Sequence, residues 1–133
     1  MMPAEMLCVA AGGALGALCR HGVSLWCADR FGKAFPCGTL LVNVSGSLLM
    51  GLLAGCWQRW GTPSAFALFA GAGFLGALTT FSTFSAEVAT LIQQGRLFWA
   101  GGAVALHVCG SLAMTFLGMG TFALIRCLLG SWR

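Results

Sequence analysis

Charge is what this sequence has least of. Charged residues make up 8% of its 133 positions against 59% hydrophobic, and the mean hydropathy is +0.90. A soluble domain needs a far larger charged fraction on its surface, so that class is excluded. The seven cysteines, Cys8, Cys19, Cys27, Cys37, Cys56, Cys109 and Cys127, include no C-x-x-C pair and no histidine-flanked cluster. They carry no disulfide or zinc signal and read as small apolar residues. The net charge of +4 is scattered, which excludes a nucleic-acid-binding patch. No basic stretch opens the chain as a cleaved signal peptide would require; Pro3, Ala4 and acidic Glu5 stand there instead, so the first apolar segment is expected to stay. Leu53-Ala54-Gly55-Cys56 looks like a lipoprotein cleavage box, but a whole apolar segment precedes it and the match is read as chance.

What is present is apolar length. A helix needs about 20 largely apolar residues to cross a hydrocarbon core of about 30 Å. Four stretches qualify, residues 6–28, 38–57, 64–92 and 97–125, with short polar or Gly/Pro-containing turns between them. The expectation is an all-α integral membrane protein, one four-span domain over residues 1–133. Four spans put Arg59, Arg126 and Arg133 on one side of the bilayer and Arg30, Lys33 and Arg96 on the other. Counting Arg20 as a loop residue makes the balance four against three. Cationic loops normally set orientation, and here neither side is favoured. Copies inserting both ways up would permit an antiparallel homodimer with its two-fold axis in the membrane plane.

Small and polar residues recur every four positions: Thr39, Asn43, Ser47, Gly51 and Gly55 in the second span; His107, Ser111 and Thr115 in the fourth; Gly12, Gly16 and Arg20 in the first. Each set lies on one helix face, where small residues admit close packing and polar ones bond across helices. Asn43 is the most demanding, since its amide carries two donors and an acceptor oxygen that all need partners. Arg20 either snorkels to the interface or lines an anion-attracting vestibule. Glu87 is the one carboxylate within a span, free to pair, to titrate or to sit in a wet crevice. His21 and His107 lie on different spans, so a haem between them is conceivable but disfavoured.

The third span is too long. Its 29 residues would run about 43 Å as a straight helix, well beyond the hydrocarbon core. Gly71, Gly73 and Gly76 lead into Thr79-Thr80-Phe81-Ser82-Thr83-Phe84-Ser85, and glycine weakens a helix while hydroxyls take over freed backbone groups. A break at mid-membrane is therefore expected, and non-helical backbone at that depth has to be buried or line a wet cavity. Such a break offers carbonyl oxygens to a cation and helix N-termini to an anion. Phe81 and Phe84 share a face, either as ordinary packing or with their positive ring edges turned to an anion.

Three blocks carry a resemblance: Gly12-Gly13-Ala14-Leu15-Gly16-Ala17-Leu18-Cys19-Arg20, Gly38-Thr39-Leu40-Leu41-Val42-Asn43-Val44-Ser45-Gly46, and Gly73 through Ser85. With these the sequence resembles the fluoride-specific ion channel family known as Fluc or CrcB. The resemblance implies a dual-topology homodimer in the cell inner membrane, with two antiparallel pores that pass fluoride passively and reject chloride. It implies that Phe81 and Phe84 are pore phenylalanines and Asn43 a polar pore-lining residue. Ser82, Thr83 and Thr115 would form a hydroxyl track, with Ser111 and His107 near the fluoride path and Arg20 in an aqueous vestibule. Backbone carbonyls of Gly76 and Thr79, paired across the dimer axis, would hold a structural sodium ion (Na+).

Two other functions fit four spans. A proton-coupled small multidrug transporter shares the dual topology but needs a central carboxylate, and the first span has none. A non-conducting assembly protein would need only the small-residue stripes. Catalysis is not expected, because His107 and Ser111 lack a third orienting group.

Overall fold

The computed structural model describes residues 3–32, 34–60 and 65–130, with Arg59 and Trp60 described by backbone alone. The described residues are helical and contain no strand. Four stretches are long and apolar enough to cross a membrane: Pro3–Phe31, Cys37–Gln58, Ala65–Gln93 and Leu97–Gly130. The first and last outrun the apolar windows read from the sequence. Hydropathy falls at Asp29, Arg30 and Arg126, but a helix stops only where its backbone is capped. Thus α1 (Pro3–Phe31) starts on a proline with Glu5 in its first turn and runs to Gly32, whose φ of 76° suits a terminating glycine. Lys33, Arg133, Ser64 and the turn Gly61-Thr62-Pro63 lie outside the described residues, as does the Arg59 side chain; the loop-charge comparison rests partly on them.

After α2 (Cys37–Trp60) the third stretch is built in pieces: α3 (Ala65–Ala67), a π-helical segment Leu68–Leu75, α4 (Gly76–Leu78) and α5 (Phe81–Gln93). At the end of the π segment the Gly76 N–H is shared between the carbonyls of Gly71 and Gly73, five and three residues back. Between α4 and α5 the backbone is extended, with φ/ψ of −80°/151° at Thr79 and −151°/122° at Thr80. Thr79 closes α4 by donating both its N–H (3.1 Å) and its Oγ1 hydroxyl (2.9 Å) to the Leu75 carbonyl. Thr80 opens α5 as its N-cap, its Oγ1 accepting from the Thr83 N–H at 3.2 Å. Gly95, at φ 72°, ends α5, with Gly95 N–H on Ile92 O and Arg96 N–H on Leu91 O. The chain then enters α6 (Leu97–Gly130).

Two helix pairs make the frame: α1 lies on the π segment and α4, and α2 lies on α6. Glycine decides both crossings. A Cβ at Gly16 would run into the Phe74 carbonyl, and one at Gly51 into the Thr115 carbonyl, so backbone meets backbone directly. Val42, Leu75 and Leu78 form the buried cluster between α2 and the third stretch. Outer faces carry exposed Leu7, Leu18, Phe98 and Leu129, apolar surface suited to lipid.

Candidate functional site

The extended pair Thr79–Thr80 forms one wall of a cavity of about 610 Å³. From α2 it takes Asn43 and Ser47; from the third stretch Gly76, Thr79, Thr80, Phe81 and Phe84; from α6 His107, Ser111 and Thr115. The four-residue spacing on α2 and α6 therefore serves two ends. Near the cavity it presents side chains, and farther along, at Gly51, it lets the helices touch.

Asn43 grips the backbone of Thr80 from both sides. Its Nδ2 donates to the Thr80 carbonyl (3.0 Å) and its Oδ1 accepts the Thr80 N–H (2.7 Å). An uninterrupted helix would have delivered that N–H to the Gly76 carbonyl four residues back. The Thr83 N–H, which would have served the Thr79 carbonyl, goes to the Thr80 hydroxyl instead. Gly76 and Thr79 thus present carbonyl oxygens with no donor among the described residues, and both line the cavity. Neutral, hard oxygens of this kind suit a monovalent cation. Among the described residues no three His, Cys, Asp or Glu side chains converge, so side-chain ligation offers no rival set.

Phe81 and Phe84 meet edge to face, centroids 5.5 Å apart at 64°. Their surroundings differ sharply. Phe84 is 7% exposed and stacks on His107 at 4.4 Å, whereas Phe81 is 77% exposed. The His107 ring is buried; its Nδ1 donates to the Ala103 carbonyl at 2.9 Å, and its Nε2 has no partner among the described residues. With Nδ1 donating, Nε2 of a neutral ring is left as an acceptor.

Hydroxyl bookkeeping separates the candidates. Thr115 spends its proton on the Ser111 carbonyl (2.9 Å), with the Ser47 carbonyl at 3.4 Å. The hydroxyls of Ser47 and Ser111 make no hydrogen bond among the described residues and are available donors in the cavity. Ser82 Oγ and Thr83 Oγ1 both lie against Thr80 Oγ1, at 3.2 and 3.1 Å. Thr83 faces a second cavity, about 340 Å³, with Thr39, Glu87 and Arg96 in its wall. There Thr39 Oγ1 donates to Glu87 Oε1 at 2.6 Å, while Glu87 Oε2 is buried without a partner among the described residues. Arg20 is half-buried on α1 and belongs to neither lining.

Of the residues singled out from the sequence, Asn43, Gly76, Thr79, Phe81, Phe84, His107, Ser111 and Thr115 come together, and Ser82, Thr83 and Arg20 lie outside that lining. Ser47 and Thr80 were missed as site residues. For Ser47 the stripe was a signal; for Thr80 it was a threonine standing directly ahead of α5, where an N-cap belongs.

Residues 7–119 match the model of the family described as "CrcB-like protein, Camphor Resistance (CrcB)". A protein of Tolumonas auensis named fluoride-specific ion channel FluC is 48% identical over 123 residues, 92% of this chain and 96% of its own length. Proteins of the same name from Vibrio cholerae (48% over 111 residues, 83% of this chain and 88% of that one) and Pseudomonas aeruginosa (48% over 116 residues, 86% and 91%) are similarly close. The relatives are named as ion channels and not as enzymes. With most of its length matched and the four apolar helices in place, the chain belongs to the CrcB family of multi-pass membrane proteins.

Proposed function

We propose that this chain is a passive fluoride channel: one four-span domain that pairs with an antiparallel copy in the cell inner membrane and exports cytoplasmic fluoride through two pores. The observation that carries the reading is the composition of the larger cavity. Aromatic rings and neutral donors line it, and none of its residues is Asp, Glu, Lys or Arg. Full charges would trap a small anion, whereas conduction needs several weak sites. The names of the relatives supply the identity of the ion.

In this reading the extended Thr79–Thr80 pair is the mid-membrane break of the third helix. Phe81 and Phe84 turn positive ring edges to the ion, and Asn43, Ser111 and Thr115 supply polar contacts, with Ser47 as a further donor. His107 backs Phe84, Ser82 and Thr83 continue the hydroxyl track, and Arg20 draws anions into a vestibule. Phe81, exposed in one copy, is covered by the second; this is why the pore is assigned to the dimer. The donor-free carbonyls of Gly76 and Thr79 are assigned to a structural Na+ on the dimer axis, where a cation would supply a fixed positive charge between the two copies. Glu87, the carboxylate that a drug exporter would use, faces the other cavity.

Liposomes loaded with fluoride and reconstituted with purified protein test the reading. Efflux on a fluoride electrode is expected to exceed the lipid-only rate at once and to need no proton gradient. Efflux equal to that of protein-free liposomes would end it.

A further inference from the structure

Asn43 reaches past the cavity wall to the backbone of Thr80. Its Oδ1 takes the Thr80 N–H at 2.7 Å, and that N–H is the donor an intact helix would aim at the Gly76 carbonyl. Thr80 is 8% exposed in the intact wall, so its N–H depends on Asn43 for a partner. A buried donor without a partner costs about 1–3 kcal/mol, and the acceptor closest along the chain is the Gly76 oxygen. The second Asn43 bond, Nδ2 to Thr80 O at 3.0 Å, holds the Thr80 peptide in the extended geometry that keeps the two groups apart.

We propose that Asn43 is a positioning residue for the cation site, keeping the Gly76 carbonyl free by holding the Thr80 N–H away from it. The inference rests on the sodium part of the reading above. The same amide therefore serves two tasks: one Nδ2 hydrogen and Oδ1 clamp Thr80, and the remaining Nδ2 hydrogen is left for the cavity. Pore and cation site are then coupled through a single side chain.

The sequence provides a probe that reads this without measuring conduction. Thr79 and Thr80 are the only adjacent threonines in the chain, so labelling threonine with 13C carbonyl and 15N gives one carbonyl-to-nitrogen correlation, that of the Thr79–Thr80 peptide. It reports the proposed ligand Thr79 C=O and the clamped Thr80 N–H together. Titrating sodium into the full-length protein in fluoride-free potassium buffer is expected to move the Thr79 carbonyl signal in a saturable way. Asn43→Ala is expected to shift the Thr80 nitrogen in the absence of sodium and to raise the sodium midpoint about tenfold, the equivalent of one lost hydrogen-bond contribution. Asn43→Asp keeps an acceptor for the Thr80 N–H but gives up the bond to the Thr80 carbonyl, and it is expected to move the midpoint less than Asn43→Ala does, by no more than about threefold, even where fluoride efflux falls. It also covers the case in which Asn43→Ala does not fold. An unchanged midpoint in Asn43→Ala, a lost sodium response in Asn43→Asp, or no sodium response in the wild type would each overturn the inference. Phe81→Ile is the control, expected to lose efflux and keep the sodium midpoint. The fluoride-channel reading is judged separately by efflux, so either can fail alone.

Discussion

The two halves of the third span are held against different helices and by different means. From Leu68 to Leu78 it is apolar and glycine-rich, and it is fixed by backbone lying on backbone: α1 comes so close at Gly12 and Gly16 that no side chain fits between. From Thr80 to Gln93 it is more polar: α6 holds it through the Leu91, Ala100 and Ala103 cluster and the Phe84–His107 stack, and α2 adds side-chain hydrogen bonds, Asn43 to Thr80 and Thr39 to Glu87. The first half is framework, which fails as a whole when its contact surface changes. The second half is presentation, where single side chains can be exchanged without dismantling the fold.

Breaking the framework has the largest expected effect. Gly16→Leu places a side chain against the Phe74 backbone, which cannot move aside as a flexible side chain would. It is expected to abolish the monodisperse species on size-exclusion chromatography. On the presenting half, Phe84→Ile is expected to remove nearly all fluoride efflux and leave a normal elution profile, since an aliphatic side chain has no positive edge. Asn43→Asp comes next: a negative group beside the path repels the permeating anion, and efflux is expected to fall with the protein still folded. Thr39→Val strips Glu87 Oε1 of its donor in a partly buried place. A thermal melt in detergent is expected to drop by the equivalent of about 1–3 kcal/mol, with efflux less affected than in Phe84→Ile. Smallest is His107→Phe, which keeps the stack on Phe84 and is expected to retain most of the efflux.

Legibility in the sequence divides along the same line. Apolar length located the helices, since crossing a bilayer is a matter of length and hydropathy. The excess length of the third span, with glycines ahead of Thr79-Thr80, pointed to the region where the backbone becomes extended. The π-helical segment was not legible, because the glycines that permit it look the same as glycines that merely pack. Four-residue spacing marked the working faces of α2 and α6, yet spacing cannot name the partner. That Asn43 would close on Thr80, Thr39 on Glu87, and Thr115 on its own helix is decided by how three helices meet. Ser47 went unassigned for the same reason: within its stripe nothing distinguishes a donor into a cavity from a hydroxyl against a neighbouring backbone.

In the proposed channel the presenting half, through its phenylalanines, makes an anion path for fluoride. Paired efflux from liposomes loaded with equal fluoride and chloride, for the wild type and for Phe84→Ile in the same lipid, tests it most directly. The wild type is expected to lose fluoride rapidly and retain chloride, and the variant to release neither ion above the lipid-only rate. Equal release of the two ions by the wild type, or wild-type fluoride efflux in Phe84→Ile, would contradict it.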